Sequence, residues 1–187
     1  PVQEREDADG FIAELNGTVR EIYDYLDEEV FSMQPSSVRR FLLETSILES
    51  FNAPLCEAVT GQKKAAEMLR KLEAANLFII PLDNSRQWYR YHSFFADGLR
   101  QRLATEYGGS QVAALHIRAS HWYSENNQPA PAVGHALAAG HFETAADIIE
   151  PLAESIVRMR EVRLLQQWLD AIPEPVILAR PVLLLYK

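Results

Sequence analysis

From Thr18 to Met33 the apolar positions Val19, Ile22, Tyr23, Leu26, Val30 and Phe31 recur at three and four residues, the spacing of one helical face. Thr18 suits an N-cap, with Glu21 at the capping-box position three residues on. Pro35-Ser36-Ser37 ends this helix and opens a second, in which Val38, Phe41, Leu42 and Thr45 are expected inward, and Leu43 to Leu48 then leads into a short loop. Ala53 to Val59 reads as a brief helix stopped by Gly61. Lys63 to Ala75 reads as a longer one with Ala66, Leu69, Leu72 and Ala75 inward.

The period then changes. Leu77 to Leu82 and Gln87 to Tyr91 are rich in β-branched and aromatic residues and are joined by the polar turn Asp83-Asn84-Ser85-Arg86, which predicts a β-hairpin. Pro81 has no N–H to give a ladder, so its strand is expected at an edge. Three helices followed by a two-stranded ribbon describe a winged-helix domain. His92 to Tyr107 returns to helical spacing with Phe95, Leu99 and Leu103 on one side, and Gly108-Gly109-Ser110 breaks it, with Ser110 as the expected cap of the next helix.

From there the pattern is helix after helix: Ser110 to Asn126, Pro129 to Ala139, Phe142 to Arg158 and Glu161 to Ala171. The short turns force antiparallel hairpins, and Ala130, Ala132, Ala136, Ala138, Ala139, Ala145 and Ala146 allow close helix contact. Stacked helical hairpins resemble the start of a tetratricopeptide-like solenoid in architecture, without its strict repeat consensus. The expected fold is therefore mainly α. It comprises an acidic lead-in over 1–17, a winged-helix domain over 18–108, and the start of a helical-repeat arm over 109–187. The absent initiator methionine and the apolar ending Pro181 to Lys187, which shows no partner in the sequence, suggest a longer natural chain.

Charge sharpens this picture. Of the net −8, all is held by residues 1–34, where ten acids face two arginines, while the remaining residues carry 16 of each sign. A DNA reader normally shows a basic excess because phosphate neutralisation supplies much of its affinity, and none exists here overall. No apolar run approaches the roughly 20 residues needed to span a bilayer, no secretory signal is visible, and a cytoplasmic location is expected. The single cysteine, Cys56, lies in an apolar pattern and reads as a small buried side chain.

Catalytic motifs are lacking. The sequence contains no G-x-x-x-x-G-K-[ST] phosphate loop, no G-x-S-x-G elbow and no H-E-x-x-H metal pair, so no catalytic or metal residues are expected. His116 and His121 are five apart, off the spacing that would aim both at one metal. Asp24, Asp27, Glu28 and Glu29 read as a solvated face, and Trp122, Tyr123, Phe142 and Trp168 as core. His92 stands apart because it joins a strand to a helix N-terminus, where the helix dipole favours an anion. Arg90, two residues earlier on the strand, is expected on the same face. A plain capping or gap-filling role for His92 fits the same spacing.

Several ordered motifs carry a family resemblance. Asp24-Tyr25-Leu26 with Glu28-Glu29-Val30, Phe41 to Leu48, Leu55 to Gly61, Asn76-Leu77-Phe78 with Pro81-Leu82-Asp83, and Trp88 to His92 with Phe94-Phe95 together resemble the central part of MalT-like, LuxR-family ATP-dependent transcriptional regulators. The resemblance runs from about Phe11 to the end, and Leu15 to Arg20 depart from the family's usual approach to the first helix. It implies a regulatory fragment of a switch ATPase whose nucleotide-binding domain and DNA reader lie elsewhere. The fragment itself would hold no cofactor, with ATP or ADP bound in the full-length protein. The winged helix would act as an intramolecular lid, with His92 touching the phosphates of ADP. The implied partners are the nucleotide-binding domain of the same chain, a small-molecule inducer on the helical arm, and DNA through another domain. Two alternatives remain from the residues: a DNA-binding winged helix, suggested by Arg86, Arg90, Arg100 and Arg102, and a protein-interaction scaffold indifferent to nucleotide.

Overall fold

The computed structural model describes residues 31–187. The helix expected over Thr18 to Met33 and its acidic cluster lie outside the described residues, apart from the end at Phe31 to Met33. Two compact units are present: one takes 31–53 and Gln62–Glu106, the other Pro54–Gly61 and Tyr107–Lys187.

In the first unit, α1 (Ser36–Thr45) buries Phe41, Leu42, Leu43, Glu44 and Thr45 in succession, so its last turn is enclosed on all sides instead of on one stripe. Val38, expected inward, is only half-buried, while Leu43 is in the core. Each of the two buried polar residues at this end has a partner one turn back. Thr45 Oγ1 donates to the Phe41 carbonyl at 2.7 Å, and Arg40 Nε donates to Glu44 Oε1 at 2.8 Å.

Helix α2 (Ala53–Thr60) ends at Gly61, whose φ of +70° closes the helix in the left-handed conformation open to glycine. Its residues from Pro54 onward group with the second unit. Cys56 is fully buried and its thiol is held far above its ordinary range, first by burial, so it stays protonated and inert. Helix α3 (Ala65–Ala74) starts later than the sequence pattern suggests because Lys64 is itself left-handed at φ 67°. That pivot turns Ala65 into the core with Leu69 and Leu72, and leaves Ala66 and Ala75 exposed, contrary to the expected face.

The hairpin pairs β1 (Ile79–Pro81) with β2 (Tyr89–Tyr91), antiparallel, with Ile79 opposite Tyr91 and Pro81 opposite Tyr89. It is shorter than the apolar run implied. Asn76 and Phe78 both have φ near +50°, which interrupts extended backbone before Ile79. On its other side Tyr89 exchanges both backbone hydrogen bonds with Phe51 at 2.8 Å, so β2 is flanked on both sides and β1, with Pro81, lies outside it. Helix α4 (Ser93–Glu106) follows at once and buries Phe95, Ala96, Leu99 and Leu103, the face expected from its period.

In the second unit α5 (Gly109–Glu125) begins one residue earlier than expected, with Gly108 and not Ser110 at the N-cap. There the Gly108 N–H donates to Gln111 Oε1 at 3.1 Å. Next come α6 (Pro129–Ala138) and α7 (Phe142–Ile149), packed closely through the fully buried Ala132, Ala136, Ala145 and Ala146. The long helix expected from Phe142 to Arg158 is broken by a 3-10 turn at Glu150–Leu152 before α8 (Ala153–Arg158). Pro151 lacks the N–H that would continue the ladder. Then come α9 (Val162–Ala171), α10 (Glu174–Leu178) and α11 (Pro181–Leu184). The apolar ending does have a partner: Leu183 and Ile177 sit fully inside the core that Leu165, Trp168 and Leu169 share with α7 and α8. Arg180 anchors this end with charge, reaching Glu143 at 2.9 Å, Asp147 at 2.7 Å and Glu150 at 3.1 Å, one carboxylate per turn of α7 and its extension. Among the described residues no helix is long and apolar enough to cross a membrane.

Tyr91 tests the first unit's core. Tyr91→Phe removes one buried hydrogen bond while Thr45 keeps its bond to Phe41, and is expected to cost about 1 kcal/mol in denaturant unfolding. Phe51→Ala opens a cavity beside the same ring and is expected to cost about 3–5 kcal/mol.

Candidate functional site

Tyr91 is the inner member of an alternating strand, buried with Tyr89 while Arg90 points out. Its ring packs on Phe51 with centroids 4.6 Å apart and meets Phe95 edge-on at 5.8 Å. Its hydroxyl shares a 2.7 Å hydrogen bond with Thr45 Oγ1. With Tyr91 fixed inward, the strand's alternation puts His92 outward, on the exposed side that Arg90 occupies.

The backbone of His92 is held at both of its polar groups. Its N–H donates to the Phe78 carbonyl at 2.8 Å and its carbonyl accepts from Ala96 N–H at 2.9 Å, the first bond of α4. The Phe78 carbonyl faces His92 because Phe78 is left-handed at φ 52°, an arrangement costing roughly 1–2 kcal/mol for a bulky side chain. The Phe78 ring offsets part of that cost by packing on Phe95 at 5.4 Å. His92 is therefore the N-cap residue of α4 by backbone, as the capping reading requires. Its imidazole takes no part in the cap: it is exposed and stacks on the exposed Phe94 ring at 6.1 Å and 20°. An exposed imidazole at the positive end of a 14-residue helix, beside an outward arginine, is a surface on which an anion is favoured.

Three of the four arginines suggested as a DNA-reading set are otherwise engaged. Arg86 pairs with Glu73 at 2.9 Å, and Glu73 also accepts from the Tyr89 hydroxyl at 3.3 Å. Arg100 pairs with Asp97 at 3.0 Å and donates to the Ser46 carbonyl at 2.9 Å. Arg102 pairs with Glu106 and lies over the Phe31 ring at 4.4 Å. Of the four, Arg90 is the one that faces out with His92. The turn between the strands is organised by an acid, since Asp83 accepts from Ser85 Oγ at 2.6 Å, Trp88 N–H at 2.8 Å and Gln87 N–H at 3.1 Å. Those bonds hold its carboxyl below the usual range, the Ser85 hydroxyl first. The hairpin thus presents mixed charge, which does not suit a phosphate backbone.

In the second unit, His121 is exposed and His116 turns the other way, to meet His135 of α6. No sequence interval could reveal that pair, because its members sit on different helices. An open groove of about 580 Å³ lies beside α5 and α7, with Ser124, Asn127, Thr144 and Asp147 among its polar lining residues and Ile148 and Leu152 among its apolar ones. Trp168 and Tyr123 are core, and Phe142 is half-buried against it. Among the described residues, no three histidine, cysteine or acidic side chains gather to hold a metal.

Three helices, a short hairpin with a fixed outward histidine, and a following series of antiparallel helices define a winged-helix module joined to helical repeats. Residues 27–111 match the MalT winged helix domain family. Over 176 residues, 94% of this chain, it is 37% identical to the HTH-type transcriptional regulator MalT of Yersinia pestis and 36% identical to that of Yersinia enterocolitica. The chain spans 19% of the length of these curated relatives. Over 27–111 the chain is thus similar to MalT winged helix domains, and over nearly its whole length it is similar to part of the MalT regulators.

Because its ring is exposed and outside the cap, His92→Ala is expected to change the unfolding free energy of this chain by less than about 0.5 kcal/mol. Phe95→Ala, three residues on, is expected to cost about 3–5 kcal/mol. Denaturant titrations of both variants check this, and a large loss for His92→Ala would make the histidine structural.

Proposed function

We propose that this chain is a regulatory segment of a cytoplasmic, MalT-like transcriptional activator, and that it couples the nucleotide state of a separate ATPase domain to a helical sensor arm. The observation that carries this reading is the outward, backbone-anchored His92 at the start of α4, beside Arg90. In the resting protein the winged helix covers bound ADP and His92 donates to its phosphate oxygens. Rigid placement matters because a side chain held by strand, cap and core needs little further ordering when phosphate arrives. The segment carries no catalysis of its own, and hydrolysis belongs to the absent domain. DNA is contacted through another part of the parent protein. Engagement of Arg86, Arg100 and Arg102 within the fold weighs against DNA binding by the wing itself.

The arm supplies the second input. The groove beside α5 and α7, lined by hydroxyl, amide and carboxylate groups together with apolar side chains, has the size and lining for a small polar inducer. Inducer and nucleotide then bias one equilibrium between a closed, ADP-bound form and an open, ATP-bound one, each by its difference in affinity for the two.

In the full-length parent, His92→Ala is expected to weaken ADP binding about tenfold or more, the loss of one charge-assisted hydrogen bond, and to raise activity without inducer. Isothermal titration with ADP and a promoter-driven transcription assay measure the two effects. Unchanged ADP affinity together with unchanged basal activity would sink the lid reading and favour a scaffold indifferent to nucleotide.

A further inference from the structure

The most unusual side-chain contact outside the winged helix is between two histidines. His116 of α5 and His135 of α6 approach Nδ1 to Nδ1 at 2.9 Å, both about half-buried. Their ring centroids are 5.0 Å apart, so the two nitrogens lie nearly on the line joining the rings, head to head. Two imidazole nitrogens can face each other this way only if one carries a proton and the other offers its lone pair. A chelated metal would require the two lone pairs to converge on a third point, and the head-on approach points away from that. His135 is further fixed by Tyr123, whose ring lies parallel to it at 13° and 5.5 Å.

We infer that His116 and His135 form a proton-counting lock on the α5–α6 hairpin, closed while the pair shares one proton between the facing nitrogens and forced apart when both facing nitrogens are protonated. In the neutral pair, one ring donates from Nδ1 and its partner carries its own proton on Nε2. One added proton can go to the free Nε2 of the donor ring, leaving the N–H···N bond intact. A second added proton must go to the accepting Nδ1, and the facing atoms then become two donors on two cations. Ser120 Oγ also donates across the hairpin, to the Ala132 carbonyl at 2.8 Å, and that bond does not titrate in this range.

The influences on the two imidazoles are burial and, for His135, the charge of His116, with no carboxylate among them. Helix α5 presents His116 and Tyr123, and α6 presents His135. Helix α7 packs on α6 through Ala145 and Ala146, which carry no charge. Arg118, two residues further along α5, is turned to the Val59 carbonyl at the end of α2. Burial holds His116 below its ordinary value, and burial followed by the charge of His116 pushes His135 down to about 4. The unfolded chain therefore takes up protons before the folded one as pH falls. Stability from the pair is complete above about 6.5 and is lost as pH drops toward 4.

Amide hydrogen exchange tests this on the whole chain. Corrected for intrinsic rate, protection of α5 and α6 is expected to fall about tenfold between pH 6.5 and pH 5 in the wild type. In the double variant His116→Leu with His135→Phe, which keeps a ring against Tyr123, it is expected to change less than twofold. Equal acid sensitivity in both proteins overturns the lock. Imidazole nitrogen resonances of the wild type give a reading independent of any variant. One protonated and one bare Nδ1 at pH 7, with a last titration step below pH 5, are expected, and two separate titrations near 6.5 contradict the proposal.

Discussion

Tyr91 is the constraint on which the first unit depends. One residue is held at once by the β2 ladder, by rings on either side at Phe51 and Phe95, and by a hydroxyl bonded to the last turn of α1. Such a residue has one rotamer and one strand face available to it. The alternation of a β-strand then leaves its neighbours no choice, and Arg90 and His92 face outward. The position of the proposed nucleotide contact is thus set by a buried aromatic cluster next to it and not by anything the histidine side chain does within this unit. Phe78 completes the arrangement, since its unfavourable backbone points a carbonyl at the His92 amide while its ring returns to the same cluster.

The second unit is built on a different principle. Its helices approach closely because alanines line the facing sides, and such contacts leave little room for specificity by shape. Specificity there comes from a few polar pairs placed at the seams: Ser120 to Ala132 and His116 to His135 across α5 and α6, and the Arg180 fork across three carboxylates near the end. An isolated surface ion pair contributes little, but one arginine shared by three acids in register along a helix fixes orientation as well as charge.

Much of this was legible in the sequence wherever side-chain period dictates the outcome. The inward face of α4, the stop at Gly61, the edge position of Pro81 and the outward pairing of Arg90 with His92 all follow from spacing and backbone chemistry, whereas of the seven alanines named for close contact Ala130 and Ala138 are exposed. Features set by through-space contact were not. Phe78 and Lys64 adopt left-handed backbone that no propensity favours, which shortened β1 and put Ala65 in place of Ala66 on the inward face of α3. Pro151 was visible, but the helical period on both sides of it masked its effect. The Thr45–Tyr91 bond and the His116–His135 contact join residues 46 and 19 positions apart, and no local pattern encodes either. The placement of His92 on the exposed side follows from alternation, whereas the role proposed for it came from family resemblance.

The central claim is that the Tyr91 cluster holds His92 ready to meet a nucleotide bound by another domain. It is tested most directly by hydrogen exchange of the segment from Tyr89 to Ala96 in the full-length parent. With ADP bound the account predicts slower exchange at the start of α4 than in the ATP-bound form, with the buried amide of Tyr91 unchanged. Identical exchange across this segment in the two nucleotide states would contradict it.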